Sequence, residues 1–249
     1  MRREDAPEVV CVWDTETGGV KIEQDRIYTA YAMLRHISGQ TIAEKSWIIN
    51  PGEPINPAAA EVNGLTDEFI QENGMPSRHA INEIYMFLSD ARRAGYPLVG
   101  YNQAFDLGIL SHEVRRHFGF DMWDSLGDPS LMSPAQFFDP FVYDVGTVEK
   151  RRGNRKLMTV AGQHYGIPID ESRLHEAKYD VEVTNHLAWK MLKRSPWTLA
   201  EMQPLQVQWR KRYADGLTDY FARIGKTEED GSPIVVDDSF PWNRTKETV

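Results

Sequence analysis

Val9-Val10-Cys11-Val12-Trp13 is an unbroken β-branched and aromatic run that stops abruptly at Asp14-Thr15-Glu16. Such a run reads as a strand buried on both faces. Residues two apart on a strand point to the same side, so Asp14 and Glu16 converge where the strand leaves the sheet. Arg26 to His36 and Thr41 to Asn50 read as two further strands, joined by the turn chemistry of Ser38-Gly39-Gln40. Pro51, Pro54 and Pro57 then break the pattern.

Helical signals follow. Thr66-Asp67-Glu68 is a hydroxyl cap followed by first-turn acids. Ile81, Ile84, Tyr85, Leu88 and Ala91 repeat at helical spacing within Ser77 to Ala94, with Ser77 able to cap and Gly95 to terminate. Leu98 to Tyr101 reads as a short strand and about Phe105 to Phe118 as a helix. Gly119 to Ser133 reads as an inserted loop, and Phe141 to Val145 as the last strand. Leu157 to Tyr165 and Tyr179 to Lys193 read as helices. Alternation of this kind predicts an α/β chain: a mixed five-stranded sheet flanked by helices. Trp197 to Ile224 is a further amphipathic helical region. Gly225 to Val249 reads as a tail with two apolar triplets, Ile234-Val235-Val236 and Phe240-Pro241-Trp242, able to dock on the body. The expected division is residues 1–194 as the principal domain and 195–249 as a C-terminal helical extension and tail.

Composition narrows the function classes. The 249 residues carry 28 basic and 37 acidic side chains, a net charge of −9. A surface coated end to end with nucleic acid would need the opposite balance; an enzyme gripping a few phosphates in one local site would not. Cys11 is the only cysteine, which excludes an internal disulfide and fits a reducing compartment. The Val9–Trp13 run is too short for a membrane span or a signal-peptide core. The expectation is a cytoplasmic protein with no membrane partner.

Three acidic sites stand out. Asp14 and Glu16 repel unless something positive lies between them, and hard cations such as magnesium bind such carboxylates together with phosphate oxygens. Taken alone, the segment also reads as a solvated acidic turn. Asp106 follows a short strand and opens a helix, a position the helix dipole favours for any acid. His175 lies five residues before Asp180, which also opens a helix. Other features carry less. Asp144 reads as a turn cap, His112 and His117 with Arg115 and Arg116 as a wet helix face, and His164 as packing beside Tyr165. Lys150-Arg151-Arg152-Gly153-Asn154-Arg155-Lys156 holds five positive charges in seven residues, a solvated loop or a phosphate contact.

In combination these residues resemble the proofreading-type 3′–5′ exonucleases related to the epsilon subunit of bacterial replicative polymerase. Asp14-Thr15-Glu16-Thr17-Gly18 is similar to the first family motif, Asn102 to Asp106 to the second, and His175 to Asp180 to the third. The order is the family's, over about residues 8–194. Glu176 stands where the tyrosine branch has Tyr, and His175 stands where the histidine branch has His. Val62-Asn63-Gly64-Leu65-Thr66 resembles the family's His-Gly-Ile-Thr segment, with Asn63 in place of His.

The resemblance implies a ribonuclease-H-like fold and two-metal hydrolysis. Asp14, Glu16, Asp106 and Asp180 would hold two divalent ions, magnesium or manganese, and His175 would act as general base. Thr15, Thr17, Asn63, Leu65, Asn102 and Phe105 would line the substrate, with Arg151, Arg152 and Arg155 on its backbone. The expected partner is nucleic acid with a free 3′ end, single-stranded DNA favoured, and the expected product a nucleoside 5′-monophosphate. The resemblance also implies a free-standing bacterial or phage enzyme that would proofread for a DNA polymerase only in trans. One alternative is an RNA-trimming exonuclease or oligoribonuclease of the same branch. Another, of a different class, is a polymerase-associated binding module with a vestigial nuclease site; the five intact site residues weigh against it.

Overall fold

In a computed structural model the buried run forms β1 (Val9–Thr17), with Val10, Cys11, Val12 and Trp13 all essentially inaccessible. The structure describes residues 7–122, 137–148, 154–173, 175–228 and 230–241. β1 pairs antiparallel with β2 (Ile27–His36), and β2 with β3 (Thr41–Asn50), through a hairpin turned by Gly39 at φ 92°. After α1 (Pro57–Asn63) and α2 (Asp67–Asn73), the short β4 (Met75–Pro76) joins β3 in parallel. α3 (Ser77–Arg93) leads to β5 (Leu98–Val99), which lies parallel to β1. α4 (Gln103–Phe118) precedes β6 (Phe137–Phe138), parallel to β5, and then α5 (Pro140–Thr147). The chain continues through a π-helical turn at Thr159–His164 into α6 (Ala177–Arg194) and α7 (Leu199–Arg223). The mixed sheet therefore has six strands among the described residues, in the order β4-β3-β2-β1-β5-β6.

Helices cover both faces. Val10, Val12, Tyr31 and Met33 share a core with α5, α6 and α7, while Cys11, Trp13, Ala30, Ala32 and Trp47 pack on α3 and α4. Leu199, Met202 and Trp209 of α7 lie in the first of these cores. Of the tail, the Val236 amide donates to Thr218 Oγ1 (3.0 Å), and Phe240 packs against both cores. Trp242 lies outside the described residues, as does the expected insertion from residue 123 onward.

Several elements differ from the sequence reading. The sheet gains a sixth strand because β4 and β6 are two-residue strands, too short to leave a periodic signal. Phe141–Val145 is helical: the Asp139 side chain caps the Phe141 amide at 2.9 Å and Pro140 occupies the first helical position. Ser77 is the first residue of α3 and not its cap; buried, it points its hydroxyl at His117 (2.8 Å) and Arg26 (3.4 Å). His164 is exposed. Thr66 does cap α2, accepting from the Phe69 amide at 3.2 Å. No described helix is long and apolar enough to cross a membrane.

Candidate active site

Three elements aim carboxylates at the end of β1. Asp14 and Glu16 stand on the face shared with Val12, toward α6, which carries Asp180 in its first turn. Thr15 points to the other face, where its hydroxyl donates to Asp106 Oδ1 at 2.5 Å. Asp106 sits in the first turn of α4 and is 4% exposed. Two left-handed residues shape the approaches: Asn102 (φ 61°) immediately before α4, and His175 (φ 66°) two residues before α6. That conformation is uncommon outside glycine, and asparagine and histidine are among the residues that adopt it most readily.

The electrostatics are those of charge without compensation. Burial, followed by the charges of Asp106, Glu16 and Asp180, pushes Asp14 well above the usual carboxylate range. Burial, followed by Asp180 and Asp106, lifts Glu16 to about 8. Burial raises Asp106 to about 7 despite its hydrogen bond from Thr15, and raises Asp180 to about 7. Among the described residues none of the four forms an ion pair with a Lys or Arg. Glu16, His175 and Asp180 each bring a ligand atom to within 4.8 Å of the others, and Asp180 Oδ1 is buried with no hydrogen-bond partner among the described residues. An orphaned carboxylate oxygen in a cluster of hard donors fits a divalent cation.

The remaining candidates have local partners of their own. Thr17 Oγ1 donates to the Gly19 carbonyl at 2.7 Å. Asn63 Oδ1 accepts from the Leu65 amide at 3.2 Å across the left-handed Gly64, so both residues belong to one turn after α1. Phe105 is half-buried against the α3–α4 core. Arg155 is committed within the body: its guanidinium pairs with Asp144 and reaches the Val148 carbonyl at 2.8 Å. Asp144, read from sequence as a turn cap, is fully buried inside α5 as that partner. Arg151 and Arg152 lie outside the described residues. The α4 face is not uniformly wet either: His117 is half-buried, 3.2 Å from the inaccessible Glu113.

Sequence reasoning missed one group that touches the site's frame. Asp139, fully buried, accepts from the Asn102 amide (2.9 Å) and the Gln103 amide (3.0 Å), at the entry to α4. Its own amide donates to Gln206 Oε1 of α7 at 2.9 Å. The Asp-Pro pair was a legible helix start; its reach to α4 was not.

The chain is similar to known proteins in sequence and in fold. A family model described as Exonuclease, of the RNase T type, matches residues 11–187. The PolC-type DNA polymerase III of Streptococcus sanguinis is 28% identical over 185 residues, 73% of this chain but 11% of that one. The PolC-type polymerase of Halalkalibacterium halodurans is 28% identical over 189 residues, with the same coverage of 73% and 11%. The chain thus spans about a tenth of the length of these relatives. Among solved structures, E. coli Exonuclease I in complex with a dT13 oligonucleotide superposes with a TM-score of 0.61 at 17% identity, over 76% of this chain and 42% of that one. Exonuclease I of Methylocaldum szegediense gives 0.56 at 20% identity, over 85% and 45%. The fold is the ribonuclease-H-like exonuclease fold, and the likeness to proofreading-type 3′–5′ exonucleases seen in the three motifs is borne out. The chain belongs to the RNase T-type exonuclease family.

Proposed function

We propose that the protein is a metal-dependent 3′–5′ exonuclease that releases nucleoside 5′-monophosphates from DNA, with single strands favoured. The observation that carries this reading is the convergence of Asp14, Glu16, Asp106 and Asp180 at one strand end, with no ion pair to a Lys or Arg among the described residues. Asp14 feels the charges of the other three, and Asp14, Glu16, Asp106 and Asp180 would together hold the ions. The bound ions supply Lewis acidity at the scissile phosphate and its leaving oxygen. Thr15 fixes the Asp106 carboxylate by its hydroxyl, so that the second oxygen keeps its direction.

His175 is the proposed general base, taking the proton of the attacking water on an imidazole nitrogen. It is exposed, so water reaches it, and its left-handed backbone sets the ring beside Glu16 and Asp180. Imidazole is the side chain that exchanges protons near neutral pH. The two Exonuclease I complexes with dT13 and dA16 oligonucleotides are single-stranded DNA complexes of that protein, and they favour the same substrate class here. The PolC-type relatives are DNA polymerases by name and support work in the company of a DNA polymerase. With Arg155 tied to Asp144, Arg151 and Arg152 are the proposed backbone contacts of the basic run.

The test uses 5′-labelled single-stranded DNA, duplex DNA with a 3′ mismatch, and RNA of the same sequence, each with magnesium, manganese or EDTA. Stepwise shortening of the single-stranded DNA, abolished by EDTA, is the expected result. Preference for RNA would move the substrate to the RNA-trimming alternative, and no cleavage with either metal would overturn the reading. His175→Ala is expected to lose about 10²–10⁴-fold in rate with metal affinity retained. An equal loss of metal affinity would make His175 a ligand instead.

A further inference from the structure

The entry to α4 is held in place from outside the family-matched segment. That segment ends at residue 187, and α7 follows it. Gln206 and Arg210 are one helical turn apart, on one face of α7. Gln206 is fully buried: its Oε1 takes the Asp139 amide at 2.9 Å and its Nε2 donates to the Phe137 carbonyl at 3.1 Å. Asp139 in turn receives the amides of Asn102 and Gln103. Arg210, 8% exposed, brings a guanidinium nitrogen to 3.4 Å from Asn102 Oδ1.

These bonds meet at a point where the backbone needs holding. Asn102 is in the left-handed region at φ 61°, and α4 starts at the next residue with no side-chain cap from Asn102 itself. The Asp139 carboxylate takes over that role by binding the first amides. Asp106 lies one turn further along, so the direction in which α4 leaves Asn102 sets where the Asp106 carboxylate stands against Thr15 and Asp14. We propose that Gln206 and Arg210 are positioning residues for Asp106, acting through Asp139 and Asn102. The C-terminal helix then works as a brace for the second carboxylate motif. For catalysis this rests on the exonuclease reading above; as a device that places a metal-binding carboxylate it does not.

The experiment compares Gln206→Leu with Met202→Ala. Met202 is a fully buried core residue of the same helix and takes no part in the bonds that Gln206 and Arg210 make to Asp139 and Asn102. Each variant is followed by thermal melting, by kcat and KM on a single-stranded oligonucleotide with manganese, and by calorimetric Mn²⁺ affinity. Gln206→Leu is expected to lose about 10–100-fold in kcat or in Mn²⁺ affinity, the range for groups that orient metal ligands, with KM for the oligonucleotide unchanged. Met202→Ala is expected to melt lower yet keep both. Equal functional losses in the two variants, or a folded Gln206→Leu with parental kcat and Mn²⁺ affinity, would overturn the proposal. Should Gln206→Leu fail to fold, Arg210 decides: Arg210→Lys must retain more kcat than Arg210→Met, and equality overturns it. A parent that cleaves no nucleic acid sinks the exonuclease reading alone, because a selective fall in Mn²⁺ affinity in Gln206→Leu still reads the brace.

Discussion

Helix α4 carries a buried carboxylate near each end, and the two are treated in opposite ways. At its C-terminal end Glu113 is fully buried and saturated with donors: Arg26 Nε at 2.6 Å, Arg116 at 2.8 Å and His117 at 3.2 Å. Burial holds His117 below its usual pKa against the pull of Glu113, and its Nε2 meets Ser77 Oγ at 2.8 Å. At the N-terminal end Asp106 has one hydroxyl donor; burial and the charge of Asp139 push it up to about 7, and its own charge adds to the burden of Asp14 and Glu16. A buried charge that the fold completes by itself is structural. A buried charge left unmatched needs a partner from outside, and the N-terminal cluster is where a cation belongs.

Neutralising a carboxylate should therefore have opposite consequences at the two ends. Asp14→Asn, in the uncompensated cluster, is expected to abolish most turnover, a loss of about 10⁴-fold as for other essential catalytic groups. Its metal-free form should melt no lower than the parent, because a desolvated, repelled charge has been removed. A variant that unfolds, or one that still cleaves at a tenth of the parental rate, would break the distinction. Glu113→Leu, in the compensated cluster, leaves the Arg26 guanidinium buried without its main partner. The expected cost is about 3–5 kcal/mol, read as a lower urea midpoint with an unchanged slope. A parental midpoint would show that the network contributes nothing.

The two clusters also differ in how far the sequence exposed them. Asp14, Glu16, Asp106, His175 and Asp180 were legible because each lies beside a strong local signal: the end of a buried strand, or the start of a helix. The Glu113 network was not, because Arg26 and Ser77 are far from it along the chain and only tertiary packing joins them; the same helix face read as solvated. The Phe141–Val145 segment misled for a related reason. Its apolar run has no period to separate strand from helix, and the Asp139-Pro140 start signal outweighed its β-branched content. Gln206 and Arg210 had no local signal beyond polar residues spaced by one turn within an otherwise apolar stripe. Long-range hydrogen bonds to backbone leave little trace in a single sequence.

The smallest effect is also the most direct reading of the unmatched cluster. Glu16 titrates at about 8 in the folded, metal-free protein, and Asp106 and Asp180 at about 7. In the unfolded chain all three titrate near 4. Folded pKa values above unfolded ones mean that the native state holds protons the unfolded state has released between these limits. The contribution of these three groups to native stability without metal then falls as pH rises from about 4 to about 8, and it is greatest on the acid side of that window. A divalent cation reverses the sense, since it binds the ionised carboxylates and must displace those protons. Melting in EDTA and in manganese, at about pH 5.5 and about pH 8, separates the two contributions. The gain from manganese should be larger at the higher pH. Glu16→Gln should flatten both the pH dependence in EDTA and the gain from metal, while Asp139, raised by burial to about 6, continues to contribute a slope of the same sign that metal does not affect. A manganese gain that is independent of pH, or a Glu16→Gln variant with the parental pH profile, would show that these carboxylates are ionised before metal arrives and that the N-terminal cluster is compensated after all.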